Sequence, residues 1–430
     1  MKVSRFFFLL LAYLFLVYSY VIYAEHTVDT RVSSEYTFYL LISIVSFGIV
    51  FGFQKLKKTN LRFLYFYAIL FFWSFAFYIN SYKLLNLQIG WPTQELAFLL
   101  YIIPILSFVP TIIFPSKINR VEMSINVYKV RLINFFIFLV AIGIAIYEMA
   151  STGIVPILMS NISESRLEYG LPFLHVVSEG FLKLSFYMSV YLYIVRNDKV
   201  KINKAIIIMT IAYFLITFSR SGLMQVGIFF IIINAINKGE GFLEISPKKT
   251  LLAFFLVVSF SVLGGIRQGE EFSINDYTAS KVDNQAINWL YGYYFVNLDN
   301  LALSVSKDDV SYDYKRSLLF VSQLLGTKPT QTDLNLYSYI GKLNLGTGFR
   351  DFSLDWGVYL GGIVLSILIM FYLFLLKLVR SDLSILYQAL ILTYIALFPM
   401  VNRFSGFIPF FVFSVIVFVD FYFVRKGRGK

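Results

Sequence analysis

"AIIIMTIAYFLITFSRSGLMQVGIFFIIINAIN", residues 205–237, decides the fold: two uncharged apolar runs flank the four residues Ser219, Arg220, Ser221 and Gly222. Apolar runs of this kind, bounded by polar punctuation, read as membrane helices. Basic loops stand on both outer flanks, "RNDKVKINK" before and "NKGEGFLEISPKK" after. Lys/Arg excess marks the loops that stay in the cytoplasm. The pair therefore reads as a hairpin that crosses outward and returns, with "SRSG" at the outer turn.

The same grammar runs through the chain. Of its 430 residues 58% are hydrophobic, 19% aromatic and only 14% charged, which excludes a soluble globular protein and points to an all-α polytopic membrane protein. Twelve spans are predicted, at 6–23, 36–53, 63–80, 96–114, 132–149, 176–195, 205–218, 223–237, 250–266, 353–376, 383–401 and 406–424. The first follows "MKVSR" and is expected to remain as an uncleaved helix, because no A-x-A-like site precedes Glu25. Alternate loops carry 23 Lys/Arg against 5 Asp/Glu, whereas the short loops between them hold one basic residue each. Both termini are thus expected inside. The net charge of +12 reflects orientation and anionic lipid headgroups, with no nucleic-acid partner expected.

Residues 1–430 read as a single integral membrane domain with one long interruption. Residues 267–352, between spans nine and ten, carry 8 basic and 10 acidic residues. A structureless loop of that length is implausible. Two stretches, "AINWLYGYYFVNLDNLALSV" and "YKRSLLFVSQLLG", look helical, so a periplasmic cap is expected. The chain has no cysteine, and its two histidines, His26 and His175, stand far apart, which argues against a zinc site. It has no P-loop, no G-x-S-x-G with partners and no H-E-x-x-H.

Chemistry is sought at the outer mouth. The apolar runs either side of Arg220 are 14 and 15 residues long, about 21 Å of helix against a hydrocarbon core of about 30 Å. The turn is therefore expected to lie below the surface, where a guanidinium seeks an anion; the alternative is an arginine snorkelling to headgroups. Arg166, Arg267, Arg350 and Arg403 gather on the same side. Guanidinium grips phosphate oxygens bidentately, so these five suit a diphosphate, although each alone is compatible with a structural role.

Carboxylates on that side are Glu164, Glu168, Glu270, Glu271, Asp351 and Asp355; Glu168 and Asp355 are taken as the catalytic candidates, able to act as general base toward a sugar hydroxyl. Asp351 also suits a helix cap or dipole pairing. His175 could serve as base, but a lone histidine at a helix start more often has a structural role. Glu179 and Lys183, four apart in span six, read as a self-neutralising pair, and Asp420 as a partner of Arg425 or the tail. Trp289, Tyr293 and Tyr294, with Tyr291, could stack on sugars or belong to an interfacial belt.

Four stretches carry a family resemblance: "STGIVPILMSNISESR", "TFSRSGLM", "YGYYFVNLDNL" and "FRDFSLDWGVYLGG". In order and spacing they resemble the bacterial oligosaccharide repeat-unit polymerases, the Wzy-type O-antigen and capsule polymerases. A valine intrudes before Pro156, Ser221 is inserted after Arg220, and Trp356 replaces the family's phenylalanine. The resemblance implies a GT-C-like architecture in the bacterial inner membrane. It implies transfer of a growing chain from undecaprenyl diphosphate to a hydroxyl of the next lipid-linked repeat unit. Arg166 and Arg220 map onto the family's key arginines, with Arg267 third, and no metal, cofactor or soluble nucleotide sugar is then needed. A chain-length regulator is a possible partner. The alternatives are an O-antigen ligase, whose family places a histidine in the large loop where residues 267–352 have none, and a lipid-linked oligosaccharide flippase.

Overall fold

The computed structural model describes residues 34–55, 61–80, 94–113, 125–159, 165, 168–238, 262, 296–306, 312–325, 327 and 347–424. In chain order its helices are α1 (Ser34–Lys55), α2 (Leu61–Asn80), α3 (Gln94–Ser107), α4 (Pro110–Ile113), α5 (Val127–Thr152), α6 (Pro172–Ile194), α7 (Lys201–Ile216), α8 (Arg220–Lys238), α9 (Val296–Ser306), α10 (Leu319–Leu324), α11 (Arg350–Leu378), α12 (Leu383–Leu397) and α13 (Phe407–Val419, continued by a π turn Asp420–Val424). The spans predicted at 6–23 and 250–266 fall outside the described residues, save Val262.

This is a polytopic, largely α-helical membrane protein. Among the described residues four stretches, 96–113, 127–152, 220–237 and 350–378, are long and apolar enough to cross a bilayer, and four more, 38–49, 64–78, 383–397 and 407–422, are apolar but shorter. The outward faces of the bundle fit lipid. Leu132, Phe136, Val140 and Ile146 on α5 and Tyr359, Ile363, Ile367 and Phe374 on α11 are all exposed. Bands of that kind would be an aggregation surface in water.

At the centre stands α12. Its sequence, "LSILYQALILTYIAL", is apolar on all sides, and such a helix has no face to give to solvent. All of its residues but Ile385 are buried. Around it pack α2, α6, α8, α11 and α13. Aromatic rings lock this core: Tyr387 and Tyr394 meet Phe413 at ring-centroid distances of 4.4 and 5.5 Å, and Trp73 meets Phe398 at 5.5 Å.

Small and polar residues set where helices touch. Ser107 donates to the Gly362 carbonyl at 2.9 Å, and a Cβ on Gly362 would lie 2.5 Å from Ile103. Small residues of this kind let helix backbones approach closely in a membrane. α11 is broken at Gly357, whose φ of 74° and ψ of 172° are open only to glycine. The break folds residues 350–356 back so far that a Cβ on Gly361 would sit 2.6 Å from the Phe352 carbonyl oxygen.

The two ends of the bundle differ. At the end where α7 begins and α11 finishes, Arg131 clasps Asp198 through two bonds of 2.8 Å, and Arg196 meets Asp382 at 2.7 Å. Asp420 accepts the Arg380 and Ser381 backbone N–H groups at 2.9 and 3.0 Å and the Ser381 hydroxyl. A fully buried carboxylate takes the nearest orphan N–H groups, and the α11–α12 turn supplies them; Arg425 and the tail, the partners expected for Asp420, lie outside the described residues.

The reversal at Gly357 generates a prediction. Gly361→Ala, which forces a methyl against backbone, should lower the thermal midpoint of the detergent-purified protein by several degrees. Gly143→Ala, where a Cβ meets nothing within 4 Å, should leave it unchanged or raise it slightly. Equal midpoints for both variants would refute the tight fold-back.

Candidate functional site

The opposite end of the bundle is where α5 finishes, α6 and α8 begin, α11 starts and α12 turns into α13. Four segments are tied together there. Gly348 donates its N–H to Phe398 at 2.6 Å. Asn402 donates to Asp351 at 3.2 Å and contacts Ser405. Phe320 donates its N–H to the Ser405 carbonyl at 2.8 Å, and Asn297 of α9 donates to the Met400 carbonyl at 3.2 Å. The segments 296–306 and 312–325, predicted as parts of a cap, thus sit directly on the start of α11 and the α12–α13 turn.

Three of the predicted arginines are described, and all lie at this end. Arg220 opens α8 and is 3% exposed, and Arg350 opens α11 and is 4% exposed. Arg403 is partly buried in the α12–α13 turn. The start of α8 reaches that turn through Met224 and Ile228, which pack on Leu397 and Met400. The turn in its own right meets α11 through Asn402 and Asp351. Three arginines are therefore carried on three elements that touch. Arg166 and Arg267 lie outside the described residues, as do Glu164, Glu270, Glu271, Trp289, Tyr291, Tyr293 and Tyr294.

Arg220 is covered by the protein around the turn. α7 and α8 are 16 and 19 residues long, about 24 and 28 Å, longer than the apolar runs alone but still short of a core of about 30 Å. The polar-looking first turns of each, "KINK" and "RSG", are helical. The chain reverses through Phe218, at a φ of 49°, and α8 begins at Arg220 itself. Gly222 makes room for the turn, because a Cβ there would lie 2.7 Å from the Phe214 ring.

The carboxylates take separate roles. Asp355 is fully buried and accepts the Arg316 and Ser317 N–H groups at 2.9 and 2.7 Å, with the Arg316 guanidinium at 3.5 Å. It holds the 312–325 segment on α11, a clasp reinforced by Trp356 donating to Ser317 at 2.9 Å. Asp351 stands in the first turn of α11, where the dipole favours it, but its side chain is used by Asn402 and caps nothing. Glu168 is exposed at the α5–α6 connection.

Glu179 and Lys183 form the expected pair at 2.7 Å, with Lys183 3% exposed. Sequence reading missed that the charge of Arg403 also acts on this carboxylate. Burial draws the Arg403 pKa below its ordinary value, while Glu179, Tyr394 and Tyr187 act the other way. A second cation thus favours the ionised Glu179 without pairing with it, and the residue separation of more than 200 hid this from the chain order. Also missed was Glu148 in "AIGIAIYEMAS", an ionisable residue inside an apolar run, which is itself a signal. Glu148 is fully buried and accepts from Leu171 N–H at 3.0 Å and the Ser178 hydroxyl at 3.2 Å, with His175 Nδ1 at 3.5 Å. Among the described residues no group of three or more His, Cys, Asp or Glu could hold a metal ion.

The pair makes a testable asymmetry. Glu179→Gln leaves Lys183 uncompensated in the field of Arg403 and should destabilise the purified protein by about 3–5 kcal/mol. Lys183→Met leaves Glu179 in the favourable field of Arg403 and should cost clearly less. Thermal unfolding in detergent reads the difference, and the reverse order would show that Arg403 does not act on Glu179.

No protein-family model, no curated protein and no solved structure matches this chain.

Proposed function

We propose that the chain is a bacterial polysaccharide polymerase that joins undecaprenyl-diphosphate-linked repeat units into O-antigen, capsule or exopolysaccharide. In this reading it is a twelve-span, GT-C-like protein of the inner membrane with both termini in the cytoplasm and its Arg220 end facing the periplasm. The observation that carries the reading is the gathering of Arg220, Arg350 and Arg403 on three touching elements at one end of the bundle. A diphosphate on a lipid tail is an anion that reaches such a mouth from within the membrane.

The chemistry asks little beyond placement. An acceptor hydroxyl attacks the anomeric carbon of the growing chain, and the bond to the diphosphate oxygen breaks, its electron pair leaving with the phosphate. Diphosphate is already a good leaving group, so preorganised guanidiniums that meet its growing charge supply the main acceleration. The rest comes from holding the two sugars in line. Arg166 and Arg267 join the arginine set in this proposal on the strength of the resemblance, and Trp289, Tyr293 and Tyr294 would contact the sugars. Of the two proposed carboxylates, exposed Glu168 is the one a sugar can reach. Asp355 has both oxygens engaged and acts by holding the 312–325 segment.

Two outcomes test the reading. In a host strain lacking the gene, surface glycan should be limited to a single repeat unit on a gel. Long chains left on undecaprenyl diphosphate would mean a ligase, and surface glycan lacking all repeat units would mean a flippase. Complementation with Arg220→Lys, which keeps the charge but loses the planar fork, should restore at most about a tenth of the polymer. Full restoration would remove Arg220 from the diphosphate site.

A further inference from the structure

His175 is the one imidazole among the described residues, and it is held on three sides. Nδ1 lies 3.5 Å from Oε2 of Glu148. The edge of its ring meets Tyr169 at 5.3 Å and 81°. Its Cγ and Nδ1 rest against Gly170, where a Cβ would lie 2.9 Å away and where φ is +94°. The ring is thus seated in a slot made by a residue that only glycine fills well. Glu148 is fixed in turn by Leu171 N–H and the Ser178 hydroxyl.

A buried carboxylate aimed at one imidazole nitrogen sets the tautomer. With Nδ1–H pointing at Glu148, Nε2 carries the free lone pair. No described residue takes Nε2, and the side chain is 34% exposed. His175 stands in the first turn of α6, at the end of the bundle that carries the proposed diphosphate-binding arginines, and one turn further along Glu179 feels the charges of both His175 and Arg403. Tyr169 closes the slot and is tied to α7 by the 3.4 Å contact of its hydroxyl with Tyr213.

We infer that His175 is the general base of the transfer and that Glu148 is its positioning residue. The inference rests on the glycosyl-transfer reading and assigns its proton acceptor to His175 in place of Glu168. As the acceptor oxygen bonds to the anomeric carbon, its proton passes to Nε2 of His175. The C–O bond to the diphosphate breaks, and its electron pair leaves with the phosphate oxygen. Glu148 stabilises the imidazolium across Nδ1–H, and the proton is then released from Nε2 to water or to the departing diphosphate. Glu168, at the rim, then orients the acceptor sugar without taking its proton.

The test uses the full chain in nanodiscs with undecaprenyl-diphosphate-linked oligosaccharide extracted from the strain lacking the gene. For His175→Gln, kcat should fall by about 100-fold or more with KM within about twofold of wild type. His175→Ala should regain rate when free imidazole is added. Glu148→Gln, which offers Nδ1 an amide instead of a carboxylate, should lower kcat about tenfold or more, again at unchanged KM. A His175→Gln enzyme within about threefold of wild-type kcat, or one impaired in KM alone, overturns the inference. Should His175→Gln not fold, the Glu148→Gln result decides, and an unchanged kcat there overturns it equally. Wild-type chain that makes no polymer overturns the glycosyl-transfer reading itself, whereas active wild type with active His175→Gln overturns only the assignment of the base.

Discussion

A charge buried in a lipid-embedded bundle must find its counter-charge or hydrogen-bond partners inside the protein, because lipid offers neither. The arrangement of this chain follows from that constraint. At one end of the bundle the solution is pairing: Arg131 with Asp198, Arg196 with Asp382, and Asp420 with the N–H groups of the α11–α12 turn. At the other end Lys183 pairs with Glu179 in the field of Arg403, while Arg220 and Arg350 are also buried. The first end is built to hold. The second is built around cations.

What places those cations is a set of clasps made of ordinary hydrogen bonds. Asp355 pins the 312–325 segment to α11, Asn402 pins the α12–α13 turn to Asp351, and Asn297 pins α9 to Met400. Each clasp uses a polar side chain at or near a helix end, where orphan backbone groups are available. The backbone break at Gly357 folds residues 350–356 back over α11, which brings Arg350, Asp351 and Asp355 into one short turn. The catalytic reading depends on this: guanidiniums on three separate elements keep a fixed spacing only if the elements are tied.

Much of this was legible in the sequence, and the parts that were not share a cause. Helices stand close to where the apolar runs place them, because a run of 15 or more apolar residues between basic loops has few other solutions. α12 could be recognised as central from "LSILYQALILTYIAL" alone. The burial of Arg220 was anticipated, while the first turns of α7 and α8 were misread as loop because they carry Lys and Arg. The Glu179–Lys183 pair was visible at its i, i+4 spacing, whereas Arg403 reaches it from 220 residues away. His175 looked alone because Glu148, its partner, lies on the preceding helix behind a long connection. Local spacing carries local pairs; only the packing of α5 and α13 on α6 brings distant charges to one place.

The central claim is that the Arg220 end binds a diphosphate borne on a lipid. The most direct measurement is the affinity of the purified protein, in nanodiscs, for undecaprenyl diphosphate beside undecaprenol of the same chain length, with Arg403→Lys as the comparison. The account predicts tight binding of the diphosphate, at least tenfold weaker binding by Arg403→Lys, and no saturable binding of the alcohol. Equal affinity for the diphosphate and the alcohol, unchanged in Arg403→Lys, would mean that the bundle recognises the tail alone and would contradict the account.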